Sequence, residues 1–373
     1  VNVFVQLEDP AARPGDVIAG TDAQRRDLVI TTVSPSDIPR LLAQKDVAWV
    51  EIGETLKAPR PTIAGGSVAA PSPSLRKFSG ASGPPKVLIG IVDVEGFDFS
   101  HPDFLDGNGR TRWAAIWDQG GNARPAPSTN AAHGYGAEFL KPHLDAAIKA
   151  APRLGVRAWE VERQSHMVDG SHGTHVASIA AGNLGVCRNA ALAGVLIGLG
   201  PEDGDRQKSF YDSSRLAHAV DYLLDLGRVM GLPVAINVSL GTNGHAHDGS
   251  APVSRWIDSA MATPGRAVCV AAGNAGQERP EAANDFGFIM GRIHTSGRIP
   301  ARDLVTDIEW MVAGNGMMDI SENEMEIWYG PQDRFAVSIL PPDGRGIGQG
   351  GPRQFRENGQ LRDGSSRSVY NEL

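Results

Sequence analysis

Three polar residues stand where apolar segments of the chain break off. Asp93 ends the run KVLIGIVD, His172 opens HGTHVAS after a Gly-containing turn, and Asn274 closes the stretch AVCVAAGN. A carboxylate at the end of a buried strand is costly unless it is hydrogen-bonded or paired. An imidazole at a helix start, near an acid, is suited to general-base work. An amide at a strand end can donate to a developing oxyanion. Each residue also has a plainer reading. Asp93 can be a turn or cap residue, and an Asn beside Gly is ordinary turn chemistry. His172 can be a structural residue, or half of a metal pair with His175. No HExxH pattern occurs, and no neighbouring carboxylate or Cys completes a metal set. Taken together, the three residues describe one site on one edge of a parallel sheet.

The elements that must carry them alternate between strand and helix. Residues 86–93, 234–240 (VAINVSL) and 267–273 (AVCVAAG) read as strands, the first and last of them buried. Residues 170–181, 213–230 and 253–262 read as helices, the second with Leu216, Ala219, Val220, Leu223 and Leu224 at helical spacing. This alternation predicts an α/β fold with a parallel sheet flanked by helices, and chemistry at the carboxyl ends of its strands. Residues 1–59 form a small α+β unit whose core is too meagre to stand alone. Residues 60–85 are a Pro/Gly/Ser/Ala-rich linker, and 86–280 hold the α/β region. Residues 281–373 alternate aromatic and β-branched positions between turn signals, which predicts a small β-sandwich.

Composition narrows the function classes. The 373 residues carry 35 Lys+Arg against 43 Asp+Glu, a net charge of −8, with no basic tract to bind nucleic acid. No apolar run reaches the ~18 residues that span a bilayer. Two cysteines cannot staple a fold of this size, and Cys187 and Cys269 read as buried small apolar residues. The opening VNVFVQLEDP has no signal-peptide pattern.

The segments VLIGIVDVEGFDFSHPDF, DGSHGTHVASIAAG, INVSLG and VAAGNAG resemble the Asp block, His block, substrate strand and oxyanion block of subtilisin-like serine proteases. The order Asp before His is that family's. The chain is similar to the large bacterial branch with a jelly-roll insert, including the Csp-type germination proteases of clostridia. TRWAAIWDQ resembles an insertion of that branch, GTNGHAHDGS its HDG-containing loop, and MEIWYGPQDRFAVSILPPDG its β insert, which implies that 281–373 are an inserted β-sandwich, incomplete at Leu373. The resemblance implies a serine endopeptidase whose residues 1–59 are an inhibitory, fold-assisting prodomain. His172 would be the general base, Asp93 its orienting acid and Asn274 the oxyanion donor. Ser239, Leu240 and Gly241 would pair with extended substrate, and Ala272 and Gly273 would line the pocket for the residue before the scissile bond. It implies a protein or peptide substrate and no cofactor. By family habit it implies an extracellular or periplasmic location.

Three departures qualify the resemblance. The Asp block reads D-V-E-G where the family has D-S/T-G, one residue longer and without the hydroxyl. Asp103 matches a calcium ligand of some relatives, but the short loop NLGVCRNA lacks the other ligands, so no metal is expected there. No G-T-S-x-A/S-x-P block occurs at all, and Ser296, Ser365, Ser366 and Ser368 have the wrong surroundings for a nucleophile. The expectation is a catalytic Ser on a C-terminal portion beyond Leu373. The alternative is an inactive subtilase-derived binding or regulatory protein, and a GTSxxxP block after Leu373 would separate the two.

Overall fold

The computed structural model describes residues 1–11, 23–54, 56, 83–128, 130–197, 212–241, 247–273, 295–302, 304–309, 327–329, 337–338 and 354–355. The chain divides into two compact units, Val1–Asn274 and Ala275–Leu373.

The first unit opens with strands β1 (Asn2–Leu7), β2 (Ala23–Arg25) and β3 (Leu28–Thr32), helix α1 (Ile38–Leu42) and strand β4 (Val47–Ile52). They form an antiparallel sheet in the order β2-β3-β1-β4. All six residues of β1 are buried because both faces of the sheet are covered. Val3, Val5, Leu7 and Val29 pack with Leu41 and Val47 in a small core of their own. On the other face Phe4, Leu28 and Ile30 enter the main core of the unit.

That main core lies against a six-stranded sheet built from β5 (Leu88–Asp93), β6 (Trp113–Asp118), β7 (Ala137–Leu140), β8 (Ala191–Leu196), β9 (Val234–Val238) and β10 (Arg266–Val270). The order is β10-β9-β5-β8-β6-β7, parallel throughout except for the β6–β7 pair. Helices α2 (Lys141–Leu154), α3 (Ala158–Val161), α4 (His172–Ala181), α5 (Ser213–Met230) and α6 (Pro252–Met261) complete the unit. Leu88 and Val92 of β5 face α5 and α6, whereas Ile91 faces α2 and α4. Helices thus cover both faces, as a parallel sheet requires. The TRWAAIWDQ segment is built into this sheet as β6.

The expectation for AVCVAAG needs correction. β10 is the sheet's edge strand, and its residues are half-buried or exposed, with Val270 56% exposed. Its apolar alternation reads as buried, but among the described residues it has a neighbour on one side only. Cys269 is exposed for the same reason and Cys187 is half-buried, so neither is a fully buried residue, and both are free thiols.

The N-terminal sheet docks on α5 and α6. Phe4, Leu28, Ile30 and Leu56 share the core with these helices, each worth about 1.5–3 kcal/mol of burial. Around them, Arg25 pairs with Asp221 at 2.6 Å and Arg255 with Asp27 at 3.3 Å. The Asn2 side-chain amide donates to the buried Asp212 at 2.9 Å, and Ser213 N–H donates to Glu54 O at 2.8 Å. The apolar contacts supply most of the docking energy, and the polar ones fix its register.

In the second unit the described residues include one antiparallel pair, β11 (Val337–Ser338) with β12 (Gln354–Phe355). Residues 295–302, 304–309 and 327–329 are described and carry no strand, and the rest of the β-sandwich expected at 281–373 lies outside the described residues, as does most of the 60–85 linker.

Candidate active site

The carboxyl ends of β5, β9 and β10 lie side by side, with Val92 level with Val238 and Val238 level with Val270. Asp93 ends β5 and is fully buried. Asp93 Oδ1 accepts the N–H groups of Val94 at 2.8 Å and Glu95 at 3.2 Å. Helix α4 precedes β8 and runs against the strands, so its first residue, His172, arrives at the same edge. His172 Nδ1 lies 2.8 Å from Asp93 Oδ2 and 3.0 Å from Oδ1. The hydrogen bond to Asp93 raises the His172 pKa above its ordinary value. Burial opposes the shift, and the negative charges of Asp93 and Glu95 add to it. With Nδ1–H committed to the carboxylate, Nε2 faces no partner among the described residues and is free to take a proton.

Close packing holds the pair in place. Gly173 lies so near the Asp loop that a Cβ there would sit 2.5 Å from Glu95 O and 2.8 Å from the Phe97 ring, so α4 can approach only with glycine at that position. Gln164, buried between α3 and α4, donates to Phe97 O at 2.8 Å and accepts Phe97 N–H at 2.9 Å. One side-chain amide thereby satisfies both backbone groups of Phe97. Sequence reasoning missed Gln164 and the role of Glu95, since no local pattern marks contacts spanning 67 and 77 residues.

The other expected residues divide into three groups. Ser239 follows β9, donates its N–H to Val92 O at 3.3 Å, and its Oγ accepts the Asn237 amide at 2.7 Å. Leu240 turns into the core and Gly241 is half-buried. Ala272 and Gly273 follow β10, exposed, with Gly273 at φ +89°. The structure therefore brings Asp93, His172, 239–241 and 272–273 to one edge. Asn274 lies outside the described residues. Of the serines weighed as nucleophiles, Ser296 is described and exposed, in the second unit.

Among the described residues no three His, Cys, Asp or Glu converge as a metal site would require. At Asp103, one carboxylate oxygen accepts the Ser178 hydroxyl at 2.6 Å and the other the Leu184 N–H at 3.0 Å. Protein donors thus hold both oxygens of the Asp103 carboxylate. No described helix is long and apolar enough to cross a membrane.

A sequence model of the subtilase family matches residues 85–286, more than half the chain. The chain belongs to the subtilase family. The matched span of this subtilase holds the whole six-stranded sheet and α2 to α6. Among solved structures it is similar to the CspB protease of Clostridium perfringens, at 26% identity over 54% of this chain, with a TM-score of 0.40. The match covers 39% of the CspB chain, so this subtilase spans well under two thirds of that protein's length.

Proposed function

We propose that this subtilase is a serine endopeptidase, with a nucleophilic Ser carried on sequence beyond Leu373. The observation that carries the reading is the Asp93–His172 pair, with Nδ1 bonded to a buried carboxylate and Nε2 left free at the edge of the sheet. His172 Nε2 takes the hydroxyl proton as Ser Oγ bonds to the peptide carbonyl carbon. The carbonyl electron pair moves onto oxygen, where the Asn274 amide donates to it. Asp93 steadies the imidazolium. His172 then returns the proton to the leaving amine as the C–N bond breaks, and water releases the acyl group by the same route in reverse. An oxyanion donor of this kind is worth roughly 10²–10³ in turnover, a magnitude established in subtilisin itself. Ser239–Gly241 would add the substrate as a further strand, and Ala272 and Gly273 would form the pocket wall beside it.

Hydrolysis of internally quenched peptides by the full-length protein tests the reading. Turnover that disappears in a Ser→Ala variant of a downstream GTS block supports it. No turnover by mature wild-type protein, or no such block, leaves the inactive binding protein as the better account.

Residues 1–59 would act as an inhibitory prodomain. Their docking on α5 supports this, because Glu54 is bonded through Ser213 at the start of that helix, on the carboxyl edge of the sheet. Cleavage within 60–85 and removal of 1–59 should raise peptide hydrolysis at least about tenfold, since a tethered segment competes at millimolar effective concentration. Equal rates for cut and uncut protein would contradict this role.

A further inference from the structure

The extra residue in the Asp block brings a second carboxylate to the helix that bears His172. Glu95 Oε2 accepts the backbone N–H of His172 at 2.6 Å. That N–H belongs to the first turn of α4 and has no partner within the helix. The N-cap residue of α4, Ser171, makes no side-chain cap bond. Its Oγ donates instead to Gly96 O at 2.6 Å and lies 2.6 Å from Thr174 Oγ1. A closed circuit results. Asp93 holds the His172 ring, Glu95 holds the His172 backbone, and the Glu95 N–H is itself held by Asp93 Oδ1.

We propose that Glu95 is a positioning residue, whose carboxylate caps the helix carrying His172 and sets a second fixed negative charge beside the imidazole. The capping bond fixes the ring's approach to Asp93, and a carboxylate at a helix N-terminus is favoured by the helix dipole. Among the described residues, the titratable groups on the segments around His172 are Asp93 and Glu95 on the β5 loop, His166 with Nδ1 3.0 Å from Val94 O, and the exposed His175 one turn along α4. Of these, the two carboxylates act on His172, and both favour its charged form. The catalytic consequence rests on the peptidase reading, whereas the ionisation of His172 does not.

Two substitutions separate the cap from the charge. Glu95→Gln keeps an acceptor oxygen and removes the charge, and Glu95→Ala removes both. In the 373-residue chain, NMR titration of His172, assigned by its loss in His172→Ala, should show a pKa lower by about half a unit or more in Glu95→Gln. In the active full-length enzyme the acid limb of the rate profile should move down by the same amount, with the plateau largely kept. Glu95→Ala should lower the plateau, and Glu95→Gln should restore it. An unchanged His172 titration in Glu95→Gln overturns the proposal. If that variant does not fold, the wild-type chain decides. The Glu95 carboxyl carbon should respond at the pH where His172 titrates, and a silent carboxylate overturns the proposal as well. A shifted titration in a protein without peptidase activity upholds the role of Glu95 and rejects the peptidase reading.

Discussion

His172→Ala in the full-length protein is expected to lower peptide turnover about 10⁶-fold, the magnitude known for the equivalent loss in subtilisin. On the proposed reading the effect falls on kcat, because His172 Nε2 would touch the proton in flight and not the substrate's ground state. Asp93→Asn should cost less, about 10⁴-fold. The amide can still reach Nδ1 at 2.8 Å but favours the wrong tautomer of the ring. Both variants should bind substrate with little change in KM. A His172→Ala enzyme that retains turnover within tenfold of wild type, or that loses only affinity, would remove His172 from the proton path.

The second large effect is on stability in acid. His133 and His218 are buried beside Trp117, Tyr135 and Tyr222, with ring centroids 6.3 Å apart. Among the described residues neither nitrogen of His133 has a hydrogen-bond partner, and His218 uses only Nδ1, 3.0 Å from the Tyr135 hydroxyl. Burial lowers the pKa of His133 to about 4 and that of His218 to about 3, with Arg215 and His133 adding to the latter shift. The unfolded chain therefore binds more protons than the folded one below pH ~6.5, and stability falls as pH drops from there toward the folded-state values. At pH 5 each histidine should cost about 2 kcal/mol relative to neutral pH. Asp118, Asp212 and Asp221, raised by burial, shift stability in the opposite sense, so a difference between variants isolates the histidines. His133→Phe loses no hydrogen bond and keeps a ring in the aromatic cluster. It should raise stability at pH 5 by about 2 kcal/mol against wild type, measured by urea unfolding, with a smaller change at pH 7.5. Parallel stability profiles for the two proteins would show that His133 does not titrate on unfolding.

Much of the site could be read from the sequence because its residues sit at breaks in local patterns. Asp93 ends an apolar strand, His172 starts a helix, and the helix at 213–230 coincides with α5. β8 was not legible. Its sequence ALAGVL lacks β-branched density, since it lies at the middle of the sheet under Phe97, where a Cβ on Gly194 would come within 2.6 Å of the ring. Small residues there answer to packing, and β-propensity carries little signal for them. β10 misled in the other direction, because the apolar alternation of AVCV does not reveal that the strand lies at an edge. The extra residue of D-V-E-G was visible as a departure. Its use was not, because the partners of Glu95 and Gln164 are brought near only by the fold.

The central claim is that Asp93 and His172 activate a serine carried downstream of Leu373. Labelling the mature full-length protein with a fluorophosphonate, then mapping the modified residue by mass spectrometry, tests it most directly. The account predicts one labelled serine, in a GTS block beyond Leu373, with labelling abolished in His172→Ala and strongly slowed in Asp93→Asn. An unlabelled mature protein, or a label whose rate is indifferent to His172, would contradict it.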